Sequence, residues 1–300
     1  MDLNNLLYNS VYNAAPILLC VLGGIFAYKA NVLNIALEGL MLAGAFVSVL
    51  VAYLTNNIFL GILAAIAACL VLGLIFSVMS VTYKGNVIVV GLAINMLVPA
   101  VADFVLKLMK SSNINLTWVN VNDFKIHIPF IEDIPILGSI LSGHPPITYI
   151  SFLMIIVMAV LMYRTKFGVY VRVVGENDDA ARSLGLKSNR YKYIAILIGA
   201  FCCALAGINL SLDRLAVFTN NMTAGRGFIA IAAIYCGRGA PGPSAVYAIA
   251  FGVASALATE LTVSAGSAAT LLAVIPYVIM GVVLTVVSIT KRRKIKVRGF

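Results

Sequence analysis

Nine apolar runs follow one another along this chain, and almost no charge interrupts them. They fall at about residues 12–28, 33–54, 58–82, 86–106, 147–163, 193–212, 215–237, 243–260 and 268–289. A helix needs roughly 20 apolar residues to cross a bilayer, and fewer where it is broken or shielded by protein. Only 11% of residues are charged, against about 25% in an average soluble domain. So few charges cannot dress a folded chain in a hydrated surface. No ten-residue alternating strands of a membrane barrel occur. The prediction is an all-α polytopic membrane helix bundle, one domain over residues 1–300, with about nine spans in a range of 8–10.

The net charge of +10 follows topology rather than nucleic acid. With the 164–192 loop inside, the cytoplasmic regions hold 16 of the 21 Lys and Arg. Lys107, Lys110, Lys125, Arg214 and Arg226 fall outside. This bias orients the chain, with the N-terminus outside and the C-terminus inside. The tail at 291–300, with KRRKIKVR, then fixes topology and touches anionic lipid. The loop at 107–146 is external. It carries Trp118, Asp123, Glu132 and Asp133, and its expected role is a lid, a docking rim or a plain connector.

Polar residues inside the runs are candidates for a solute path. Glu38 sits in NIALEGLMLAGA, and burying a lone carboxylate costs roughly 3 kcal/mol or more, so it should have a partner or remain protonated. Asn34 lies one helical turn below it. Asn95 is a similar case, with Pro99 one turn on to kink that helix. Each has either a path role or a structural hydrogen bond. Between 213 and 227, Asn220, Asn221, Thr223 and Arg226 interrupt a span, and only about eleven apolar residues follow. That pattern reads as a broken or re-entrant helix beside the path, or as an external loop leading into a short packed helix. Gly39, Ala43 and Val47, and likewise Gly199, Cys203 and Gly207, repeat at helical spacing and should form close-packing seams.

The 164–192 loop holds a bounded helix signal at 176–186. Asn177, Asp178 or Asp179 caps it, and acids suit the positive end of the helix dipole. Ala180, Ala181 and Leu184 form a small apolar face, Arg182 lies near its end, and Gly185 stops it. Such a helix in a basic loop is read as a docking element, against the simpler reading of a solvated connector.

Enzyme chemistry is thin. His127 and His144 have no metal-ligand spacing, no catalytic or metal residues are assigned, and no cofactor is expected. The absence of any Gly-Lys dipeptide excludes a Walker A phosphate loop. The five cysteines lie in or beside apolar runs, as small buried residues do.

Three stretches, NVLNIALEGLMLAGAF, FGVYVRVVGENDDAARSLGL and NMTAGRGFIAIAAIYCGR, together resemble the permease subunits of bacterial ABC importers in the branched-chain amino acid, ribose and nucleoside group, most closely the simple-sugar and nucleoside branch. The resemblance covers about residues 13–290. It implies a type II importer bundle in the bacterial plasma membrane, often of ten spans with both ends inside; the nine runs here differ at the first span. It implies coupling to a separate ATPase through Gly175, Glu176, Asn177, Asp178, Asp179, Ala180, Ala181, Arg182, Leu184 and Gly185. It also implies a second, different permease and an extracytoplasmic solute-binding protein. The rivals are an ion-coupled secondary transporter working without an ATPase, and a polytopic membrane enzyme.

Overall fold

The computed structural model describes residues 3–126, 142–264 and 274–297. The centre of the 107–146 loop, with His127, Glu132 and Asp133, lies outside the described residues, as do the tail side chains.

Each of the nine runs becomes a helix. In chain order they are α1 (Leu3–Lys29), α2 (Leu37–Thr55), α3 (Ile58–Ser77, extended by a π-turn at Val78–Thr82), α4 (Val87–Leu108), α5 (Pro146–Arg164), α8 (Ser188–Ser211), α9 (Arg226–Cys236), α10 (Pro241–Ser264) and α11 (Ile275–Val297), with α6 (Lys166–Glu176) and α7 (Asp178–Ser183) between α5 and α8. Among the described residues seven are long and apolar enough to cross a membrane; α9 and the apolar part of α11 are shorter. The start of the ninth run, 268–273, lies outside the described residues. Polar residues between 213 and 226 keep α9 short.

α1 is the hub. From Ala14 to Ala27 it is apolar all round, apart from its small glycines, which is the signature of an enclosed helix, and Leu18, Leu22, Ile25 and Phe26 are completely buried. It packs most extensively on α10 and α8, then on α9 and α5. α3, α4 and α5 instead turn large apolar side chains outward, among them Leu63, Val71, Met96, Phe104 and Ile156. α4 runs on through Pro99, as spans can when neighbours shield the freed carbonyl.

The small-residue seams set the closest approaches. A Cβ on Gly207 of α8 would come within 2.2 Å of the Met41 carbonyl on α2. Backbone meets backbone there, and only glycine permits it. At the end of the bundle holding the α1 N-terminus, two short strands pair antiparallel. In β1 (Asn113–Asn115) and β2 (Val217–Thr219), Ile114 lies opposite Phe218. They tie the segment after α4 to the segment after α8, a link that no sequence periodicity announces.

Candidate translocation and coupling sites

The chain unwinds between α1 and α2, over residues 30–36, so Asn34 and Glu38 do not share a helix face as expected. Asn31 takes a left-handed φ of 58°. Freed backbone groups inside a bundle need partners, and two asparagines supply them. Asn34 Oδ1 accepts from the Ala36 N–H at 3.0 Å. Asn95 of α4 donates to the Ile35 carbonyl at 2.9 Å and accepts from the Gly39 N–H at 2.7 Å. Asn95 lies eight residues into α4, about 12 Å from its start at 1.5 Å per residue. The break therefore sits at depth.

Glu38 closes the arrangement. Its Oε1 accepts from the Gly225 N–H at 2.8 Å, and its Oε2 accepts from the Gly227 N–H at 2.6 Å. These amides open α9, whose N-cap Gly225 has no side chain to cap with. A carboxylate from α2 thus caps a half-length helix from across the bundle, where helix N–H groups and dipole favour negative charge. Gly225 has φ +73°, and a Cβ on Gly227 would lie 2.5 Å from Glu38 Cα. The two glycines let the helix start come this close.

Just before α9 the chain is irregular from Leu212 to Gly225, apart from β2. Asn220 and Asn221 are exposed and take no part in the Glu38 cluster. Thr223 is buried. Arg226 donates from Nη1 to the Met222 and Thr223 carbonyls at 3.1 and 3.3 Å, while its buried Nε has no partner among the described residues. A cavity of about 150 Å³ opens beside it, lined by Ser255, Thr259, Thr262 and Tyr277 among others.

At the opposite end, the helix predicted over 176–186 is shorter, Asp178–Ser183, because Glu176 belongs to α6; with α6 it forms a two-helix hairpin. α6 ends at Glu176, Asn177 caps α7 by accepting from the Ala180 N–H at 3.0 Å, and Gly185 (φ +80°) ends the turn. Asp178 Oδ2 holds Arg182 at 3.0 Å and Lys192 of α8 at 3.3 Å. Burial pushes the Asp178 carboxyl up, but the Ser188 hydroxyl with Lys192 and Arg182 prevail and hold it below its ordinary value. That contribution to the hairpin is present above the ordinary carboxylate range and fades as pH falls through it.

The predicted apolar face is divided. Ala181 is fully buried against the chain, whereas Ala180 is exposed and Leu184 is 77% exposed. The turn geometry of α7 points one alanine back at the bundle, so Ala181 is not an outward contact. Gly175 is also inward. A Cβ there would lie 1.8 Å from the Lys29 carbonyl, so α6 rests directly on the end of α1.

A bundle with a depth-capped half helix and one structured hairpin can be set against known families. Residues 6–288 match the family described as branched-chain amino acid transport system / permease component. The chain belongs to this permease family. A guanosine ABC transporter permease of Bacillus subtilis is 33% identical over 258 residues, 81% of this chain and 78% of that protein. A nucleoside ABC transporter permease of Lactococcus lactis is 26% identical, over 83% of this chain and 80% of its own length. A putative glucose ABC transporter permease of Haloferax volcanii is 28% identical, over 84% and 76%. No solved structure gives a significant match. This is a multi-pass membrane permease subunit of the ABC type, and not an enzyme.

The permease also holds a buried polar cluster that sequence reasoning missed. Arg214, treated there only as an external basic residue, is 7% exposed, and its guanidinium lies 3.6 Å over the Tyr12 ring. Asn209 donates to Asp213 at 2.9 Å and to Thr148 at 3.3 Å, and Asn9 donates to Glu260 at 2.7 Å. The cluster joins α1, α5, α8 and α10 near the α1 N-terminus. The adjacent Asp213–Arg214 pair, set directly between two apolar runs, was the available signal.

Proposed function

We propose that this permease forms the translocation path of an ATP-driven importer for a small polar solute, a nucleoside or a simple sugar. An extracytoplasmic binding protein delivers the solute, a second permease completes the path, and a separate ATPase docks on the α6–α7 hairpin. The observation that carries the reading is the start of α9, held at depth by Glu38 beside irregular backbone and the hydroxyl-lined cavity at Arg226. Irregular backbone at membrane depth is tolerated against protein or a watery cavity, and half-helix ends are where transporters hold polar solutes. The relatives named for guanosine, nucleosides and glucose support this solute class. Glu38, the carboxylate that the sequence offered to an ion-coupled rival, has both oxygens spent on backbone amides. Asn34, Glu38, Asn95, Thr223 and Arg226 are the residues we place on or beside the path, with Asn220 and Asn221 at its mouth.

The purified chain reconstituted alone in liposomes should take up no solute against a gradient, because it has no phosphate loop. Adding the cognate ATPase, partner permease and binding protein should restore ATP-dependent uptake. Concentrative uptake by the chain alone, driven by an ion gradient, would refute the proposal.

The proposed orientation has a separate check. Single cysteines placed at Lys187 and Lys294 should resist membrane-impermeant thiol reagents in intact cells, and one at Asn122 should react. Labelling at Lys187 from outside reverses the assignment of sides.

A further inference from the structure

A polar cavity of about 440 Å³ lies at the hairpin end of the bundle, away from the Glu38 site. Its walls are the last turn of α1 (Tyr28, Lys29), the bend that follows, α6 (Arg172, Glu176) and the last turn of α9 (Tyr235). The walls are tightly seated. Besides the Gly175 contact, a Cβ on Gly239 would lie 2.4 Å from the Tyr28 ring and 3.2 Å from Lys29 Cε. Tyr28 and Tyr235 meet edge to face at 5.2 Å between ring centres.

Two cations share this concave wall, and among the described residues neither has a carboxylate at ion-pair distance. The ion pairs described there both belong to Asp178. Glu176 lines the same cavity and its charge reaches Lys29 without ion-pair contact, so the wall sets two positive charges against one negative. Arg172 donates its Nε to the Gly168 carbonyl at 3.3 Å and lies 5.4 Å from the centre of the Tyr163 ring. That leaves the outer nitrogens of the guanidinium unspent. That excess of positive charge on a concave wall draws in an anion. An arginine fork with a lysine point charge suits phosphate oxygens better than a single carboxylate. The volume is that of a small-molecule site and exceeds what inorganic phosphate alone would fill, and two tyrosine rings offer surface to the remainder of the ligand.

We infer that the cavity between α1, α6 and α9 binds a phosphate-bearing anion, either a lipid headgroup or a free phosphate ester. Its walls include one arm of the hairpin and the far end of the half helix that Glu38 holds. An occupant therefore bridges these two elements and limits their relative movement.

The test measures binding to the solubilised full-length chain. The probes are dihexanoyl phosphatidylglycerol and AMP, with dihexanoyl glycerol and adenosine as phosphate-free controls. At least one phosphate-bearing probe should bind, and its control should not. Combining Lys29→Gln with Arg172→Gln should weaken that binding about tenfold or more, since charge-assisted hydrogen bonds are lost. Arg172→Lys keeps the charge but not the fork and should fall between, which separates lost charge from lost fold. Binding of the lipid alone assigns a headgroup, and binding of AMP assigns a free ester. Equal binding by wild type and the double variant, or binding by neither probe, overturns the inference.

Discussion

Glu38→Ala should abolish solute uptake by the assembled transporter while the chain still reaches the membrane. Two buried N–H groups, of Gly225 and Gly227, would lose their acceptors. An unsatisfied buried donor costs about 1–3 kcal/mol, and the lost negative charge at the start of α9 adds up to about 1 kcal/mol. The sum is several kcal/mol, and each 1.4 kcal/mol changes a population about tenfold. The α9 start would detach from α2, and the irregular segment before it would lose its anchor. Uptake should fall at least about tenfold, and amide exchange at 225–228 should speed up by a similar factor or more. Glu38→Gln keeps one carbonyl acceptor but turns an amide toward the second N–H, so it should lie between. Glu38→Ala with normal uptake and normal exchange protection would show that the cap is dispensable.

The sequence announced most of the architecture because lipid imposes it. Each apolar run contributes a helix, since no water is present to satisfy an exposed backbone. Glu38 stood out because a lone acid in an apolar run is costly, and the structure turns that cost into a cap. What the sequence did not show is pairing at long range. Glu38 meets Gly225 and Gly227 almost two hundred positions away, and no local pattern encodes that contact. The β1–β2 ladder and the Arg214–Tyr12 stack are of the same kind. The unwinding at residues 30–36 was hidden because NVLNIALEG reads as continuous helix, and the break is stabilised by Asn34 within it together with Asn95 on another helix. The division of the α7 face was hidden for a simpler reason. Periodicity tells which residues share a face, but not whether a neighbour already covers part of it.

That division decides how the hairpin must be tested. Leu184→Asp should dissociate the ATPase and stop uptake while leaving the permease as stable as wild type. Leu184 is 77% exposed and precedes the left-handed Gly185, so an aspartate there shifts stability by no more than about 0.5 kcal/mol, as surface changes usually do. Its outward side chain is the apolar anchor on offer to a partner, and losing a well-packed anchor commonly costs about 2 kcal/mol or more, over tenfold in affinity. Ala181→Arg reads differently. Ala181 is fully buried, and its carbonyl accepts from the Leu186 N–H at 3.1 Å. An arginine would push α7 off the bundle, so the melting temperature should fall together with ATPase binding, and lost transport by that variant says nothing about contact. The pair separates docking from folding: the exposed site should lose the partner and keep its stability, and the buried site should lose both. If Leu184→Asp copurified with its ATPase and transported at the wild-type rate, the hairpin would be a connector and the ATPase would dock elsewhere.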